Sequence, residues 1–267
     1  MTRPIGIGSV ALALALGGCG GPASSADASG GLPDLPQGNE RVDLAPADFS
    51  SEIDHPYLAL ETGTRWIYRE TDEEGRVVEV VVTVTSETKE VANGITARVV
   101  RDTVTEDGEL IEDTLDWFAQ DGAGNVWYLG EETAEFDGRE MTSRAGSFEA
   151  GFDGALPGII MPANPADGMR YRQEYYAGEA EDNGEILSLD EQAEVPHGHF
   201  DDVLLTKDTS AIEPGVLEYK LYARDVGLVL TLGVSGGGGR EELISVEQVD
   251  AEIARLAGSA PLGEPYP

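Results

Sequence analysis

The chain has 267 residues, with 51 Asp and Glu against 17 Lys and Arg, for a formal net charge of −34. Such a field repels nucleic acid and anionic lipid surfaces and draws cations, basic peptides or Ca²⁺; its plainer use is solubility in a salty exterior. A single cysteine excludes a disulfide framework within one chain.

The chain opens Met1-Thr2-Arg3-Pro4, followed by an apolar stretch from Ile5 to Leu16. A basic start and a short apolar core have the form of a secretory leader. The stretch falls short of the roughly 20 apolar residues that a bilayer crossing needs. It ends in Leu16-Gly17-Gly18-Cys19, and Cys19 is the lone cysteine. This ending resembles the lipobox of bacterial lipoproteins. The resemblance implies cleavage before Cys19 and attachment to a membrane through lipid, such as palmitate, on that residue. Gly20 rather than Asp follows, which in a two-membrane host implies the outer membrane, at its periplasmic face.

Residues 1–18 are therefore read as a signal peptide. Residues 19–50, rich in Gly, Ala, Ser, Pro and Asp, cannot bury enough apolar surface to offset ordering entropy and are expected to form a flexible tether. Residues 51–257 are long enough for one β-rich domain. Residues 258–267 are expected to be a loose tail.

Period-two alternation dominates the domain. Val78, Val80, Val82 and Val84 alternate with Glu79, Val81, Thr83 and Thr85, the pattern of a strand. Asn93-Gly94, Asp107-Gly108, residues 121–125 and Asp137-Gly138 are turn signals between strands at 95–105, 110–118 and 126–129. Strands joined so tightly are antiparallel neighbours. Residues 146–169 carry Pro157, Pro162 and Pro165 and are expected to be an irregular crossover. Strands resume at 170–176, 186–195, 203–209, 217–223, 228–234 and 241–249, before a short helix at 250–256. No βαβ alternation occurs, which argues against a parallel sheet. The predicted fold is mainly β, a single strongly curved antiparallel sheet of about ten strands, as a half-barrel or incomplete barrel. A sandwich is the other packing that these strands permit.

Several segments carry a resemblance. They are His55-Pro56-Tyr57 with Trp66 and Tyr68, Val126-Trp127-Tyr128, Arg172-Gln173-Glu174-Tyr175, Val195-Pro196, and Glu218-Tyr219-Lys220 with Tyr222. Together they resemble a group of poorly characterised bacterial secreted proteins and lipoproteins. The resemblance implies a curved antiparallel half-barrel and an envelope location, and no chemistry. The chain departs from the group at Arg224-Asp225, His197 and His199.

Little in the sequence supports catalysis. Gly233-Val234-Ser235-Gly236-Gly237 fits a hydrolase nucleophile pattern, but that motif needs a following helix and a later His, and no His follows His199. His197 and His199 would share a strand face as metal ligands, but Pro196 and Gly198 place them at a turn. His55, between Asp54 and Pro56, fits a role in fixing chain entry. The acidic run Glu179, Glu181, Asp182 and Glu185 offers Ca²⁺ donors without EF-hand spacing and is read as a solvated face. No cofactor is expected. The aromatics are more suggestive, because they fall in predicted strands. Trp117, Trp127 and Tyr175 are the candidate ligand-binding residues of an apolar concave face. In the strand at 110–118, Ile111, Asp113, Leu115 and Trp117 form the more apolar face and are expected to point inward, with Asp113 needing an Arg or hydroxyl partner.

The function expected is a non-catalytic binding or carrier module of the cell envelope, with an apolar small ligand. An assembly lipoprotein contacting another envelope protein is the alternative, and a hydrolase is third.

Overall fold

The computed structural model of the chain describes residues 35–266. Cys19 and the leader lie outside them. In chain order the strands are Phe49–Ser50 (β1), Asp54–His55 (β2), Leu58–Ala59 (β3), Thr64–Asp72 (β4), Val77–Glu90 (β5), Thr96–Glu106 (β6), Glu109–Asp121 (β7), Val126–Asp137 (β8) and Glu140–Ser143 (β9). They continue with Phe148–Glu149 (β10), Leu156–Met161 (β11), Arg170–Arg172 (β12), Glu174–Tyr175 (β13), Asp182–Val195 (β14), Gly198–Ser210 (β15), Leu217–Ala223 (β16), Gly227–Ser235 (β17) and Gly239–Gln248 (β18). Helix Ala251–Ser259 (α1) follows. Asp250 caps it, its carboxylate accepting from the amides of Glu252 and Ile253.

Sixteen strands make one sheet, and its named pairings are antiparallel. Its main path runs β12-β14-β15-β16-β17-β18-β4-β5-β6-β7-β8-β11-β13. The two ends of that path are neighbours in sequence. Residues 170–172 pair with β14, and residues 174–175 pair with β11. The expected half-barrel is thus nearly closed, with more strands than predicted. Closure removes the exposed edges that an open sheet would present. The hairpin turns fall where the sequence predicts them, with Gly94 and the Asp107-Gly108 pair at positive φ.

Cross-strand partners share a face, so the registers separate inside from outside. The inward face of β6 and β7 carries Val100, Asp102, Thr114, Asp116 and Phe118. The outward face carries Arg101, Asp113, Leu115 and Trp117. Helix α1 packs over β5 and β6 on that outer side. There Arg101, fully buried, is paired through two nitrogens with Asp113. It also donates to the carbonyls of Ala257 (2.9 Å) and Ala260 (2.8 Å), while Gly263 donates its amide to Asp113 (2.8 Å). The ring of Tyr266 lies 4.6 Å from the guanidinium. The expected loose tail is therefore held down to Tyr266, because its terminal carbonyls satisfy a buried cation.

The tether reading also gives way over residues 35–50. Leu35 is buried, and the Arg172 guanidinium donates to the carbonyls of Gly38 (2.7 Å) and Glu40 (2.8 Å). Phe49 pairs with Asp121 and packs edge-on to Trp127. Residues 146–169 contain a missed strand, β11, which reaches the barrel wall despite Pro157 because Gly158 lets the closing strand approach.

Candidate functional site: an acidic cavity inside the barrel

The barrel holds a cavity of about 250 Å³ that opens partly to solvent, just below the usual size of small-molecule sites. Its wall draws on strands all round the barrel, from β4 to β17. The β2–β3 hairpin contributes Leu58 and Leu60, which meet Trp66 and Leu228 there. Trp66 is oriented by its indole N–H, which donates to the carbonyl of Val226 at 2.7 Å. Phe118 stacks on Tyr128 with ring centroids 5.0 Å apart. Tyr222 completes the aromatic part of the wall.

The rest of the wall is acidic. Asp102, Glu112, Asp116 and Glu131 project from β6, β7 and β8, and Glu174, Asp182, Asp208 and Glu218 from the opposite strands. One base, Lys220, faces them. Its ammonium is 3.0 Å from Asp208 and 3.8 Å from Glu218. Burial works to lower its pKa, but those two carboxylates outweigh burial and hold it well above the usual lysine range. Asp208 is fully engaged, accepting also from Gln173 (3.1 Å) and Thr206 (2.8 Å). Lys220 is thereby spent mainly on Asp208 and Glu218, and Asp102, Glu112, Asp116 and Glu131 on the facing wall have no basic side chain within ion-pair distance among the described residues.

A carboxylate that loses water without gaining a cation keeps its proton. Burial, then the neighbouring Glu135 and Asp116, pushes Glu112 up to about 8. Burial raises Asp116 to about 6, against the stabilising hydroxyl of Tyr128. Asp102 and Glu131 are raised well above the carboxylate range, by burial first and the Asp116 charge second. Glu70 and Glu241, cross-strand partners further along, rise to about 7 and about 8 by burial and acidic neighbours. Geometry carries the same message at Tyr128. Its hydroxyl lies 2.7 Å from both Asp116 and Glu131. One phenolic hydrogen serves one carboxylate, so the second contact requires a protonated carboxyl. Burial raises both carboxyls, and the Asp116–Glu131 pair holds that proton between them.

The residues predicted from sequence lie elsewhere. Trp117 and Trp127 are buried but face outward, and neither they nor Tyr175 lines the cavity. Trp117 lies under the Lys89 ammonium, 3.5 Å from the ring centroid, and the indole N–H of Trp127 donates to Asp121 at 2.8 Å. Tyr175 is half-buried in the closing strand, paired with Leu156. The predicted inward face of β7 is reversed, because its apolar face is covered from outside, by Gly263 of the tail at Asp113 and by Lys89 over Trp117. Asp113 does find the Arg partner that its burial demands.

The remaining candidates scatter. Ser235 donates to the carbonyl of Gly215 in a glycine hairpin with no helix after it. His197 stacks on Phe200, whereas His199 meets Glu194 and Asp201 at the surface. His55 is buried; its Nδ1 accepts from the Tyr57 amide and its Nε2 meets the carbonyl of Pro162 (3.0 Å), so it holds the entry segment. Burial lowers its pKa. The acidic run divides, with Glu185 bonded to Arg170 outside while Asp182 points inside. Among the described residues no three His, Cys, Asp or Glu side chains are placed to hold one metal ion, and no helix is long and apolar enough to cross a membrane.

No family model matches the chain, and no curated relative does. Among solved structures, a "putative lipoprotein" of Parabacteroides distasonis is 13% identical over 72% of this chain and 98% of its own, with a TM-score of 0.39. A beta-barrel-like protein of domain of unknown function DUF1849 from Brucella abortus is 12% identical over 70% of this chain and 98% of its own, with a TM-score of 0.37.

Proposed function

We propose that the protein is a membrane-anchored envelope lipoprotein whose barrel is a non-catalytic binding or carrier module for a small molecule held in its interior. The observation that carries this reading is the cavity inside the barrel, whose wall combines apolar side chains such as Leu58, Leu60, Trp66 and Leu228 with several carboxylates. A concave, largely apolar chamber with a few placed polar groups is the general form of a small-molecule site. The lipobox ending at Cys19 supports the anchor, with the outer membrane favoured in a two-membrane host.

Native mass spectrometry of the full chain, purified in detergent from its host, tests the reading. The expected spectrum shows a retained small-molecule adduct, absent from a Val216→Trp variant that fills the cavity. An adduct-free chain that co-purifies with a stoichiometric envelope protein would replace the carrier with an assembly role. The anchor is read in parallel, since Cys19→Ala should abolish palmitate labelling.

A further inference from the structure

We propose that the cavity takes a small organic cation, its ammonium group held by Asp102 beside Asp116 and its apolar body against Trp66, Phe118 and Leu228. The inference rests on the reading of the barrel as a small-molecule binder and names the chemical class bound. Its first support is the balance of charge on the wall, where the one base is neutralised by Asp208 and Glu218. Its second is independent of that balance. Oδ1 of Asp102 and Oδ1 of Asp182 are both buried and have no hydrogen-bond partner in the protein, and both residues line the cavity from different walls. Oε2 of Glu241, a residue only 3% exposed on the same inner face as Tyr68, is a third such atom. Buried carboxylate oxygens left without donors are costly, and an ammonium supplies up to three donors from one atom. A neutral hydroxyl supplies one donor from its oxygen, and a carboxylate supplies none.

The carboxylates line the wall without converging on one point, which suits an extended organic cation better than a bare metal ion. The nearby aromatic faces of Trp66 and Phe118 can add cation–π attraction. Uptake also has a proton balance. Asp102 faces Glu112 and Asp116 from β7 and Glu241 from β18, with Asp113 behind the wall, and Tyr68 beside it on β4. None of these is a base, so the Asp102 carboxyl keeps its proton until a cation arrives. As the ammonium enters, one carboxyl proton leaves to bulk water and the charge inside is unchanged. Affinity therefore rises with pH until the amine itself deprotonates.

The test is calorimetric titration of the full chain in detergent with three probes of one shape: 2-phenylethylamine, 2-phenylethanol and phenylacetate. The amine should bind at least tenfold tighter than the alcohol, with proton release, and phenylacetate should be weakest. Asp102→Asn should cut amine affinity at least tenfold while alcohol affinity changes less than threefold. Asp116→Asn repeats the measurement should the first variant fail to fold. Alcohol binding as tight as the amine overturns the cation and leaves the carrier standing. Loss of all three bindings overturns both.

Discussion

Trp117 packs beneath Lys89 on the side of β7 turned away from the cavity. Removing a buried indole leaves a void that the covered outer face cannot close, so Trp117→Ala should cost about 3–5 kcal/mol of stability. Affinity for 2-phenylethylamine should not change. Urea denaturation and calorimetry on one preparation check both, and lost affinity at retained stability would return Trp117 to the site. The period of β7 was legible in its residues, since alternation sorts Ile111, Asp113, Leu115 and Trp117 from Glu112, Thr114, Asp116 and Phe118. Which set points inward was not legible. Apolarity marks the covered face, and here the tail and Lys89 cover the outside while the inside is the more acidic. The partner of Asp113 could be anticipated because a buried carboxylate demands one, whereas its identity as Arg101 depends on a register between strands.

At the scale of elements, the hairpin signals at Asn93-Gly94 and Asp107-Gly108 carried the meander, because those residues tolerate the positive φ that tight turns need. Closure was hidden. Strand β11 holds Pro157, and its pairing with β13 depends on how close the closing strand can come at Gly158. A methyl group there would overlap the carbonyl of Gln173. Gly158→Ala should therefore push residues 170–175 off the wall and cost more than the ~1 kcal/mol of an ordinary substitution. Hydrogen exchange should rise at those amides, and an unchanged denaturation midpoint with unchanged exchange would show that the barrel does not depend on this contact. The pinned ends were hidden for a related reason. Composition reports how little apolar surface residues 35–50 and 258–266 can bury, but says nothing of Arg172 and Arg101, whose buried guanidiniums collect the carbonyls of those segments.

For the whole molecule, the interior acids tie stability to pH. Glu70 at about 7, Glu112 at about 8, Asp116 at about 6 and Glu241 at about 8 all stand above their ordinary carboxylate values. The folded state thus binds more protons than the unfolded chain from about pH 4 to about pH 8. Their contribution is complete below the unfolded pKa and is lost as pH rises through the folded values. His55 acts the other way: its pKa is lowered by burial, so its protonation costs stability as pH falls through the usual histidine range. Glu185 and Glu252, lowered by their Arg partners near the surface, act with His55, but the raised interior acids, which also include Asp102 and Glu131, outnumber them, and the balance favours acid. The melting temperature should therefore fall from pH 5 to pH 9. Surface repulsion in a chain of formal charge −34 pushes in the same direction, but salt screens exposed charges within about 10 Å at 0.1 M and buried ones far less. The slope should persist in high salt and flatten in Glu241→Gln, which cannot ionise. Saturating 2-phenylethylamine should flatten it as well, because an ammonium inside stabilises the ionised carboxyls that alkaline pH creates. A slope abolished by salt alone would move the effect from the cavity to the surface.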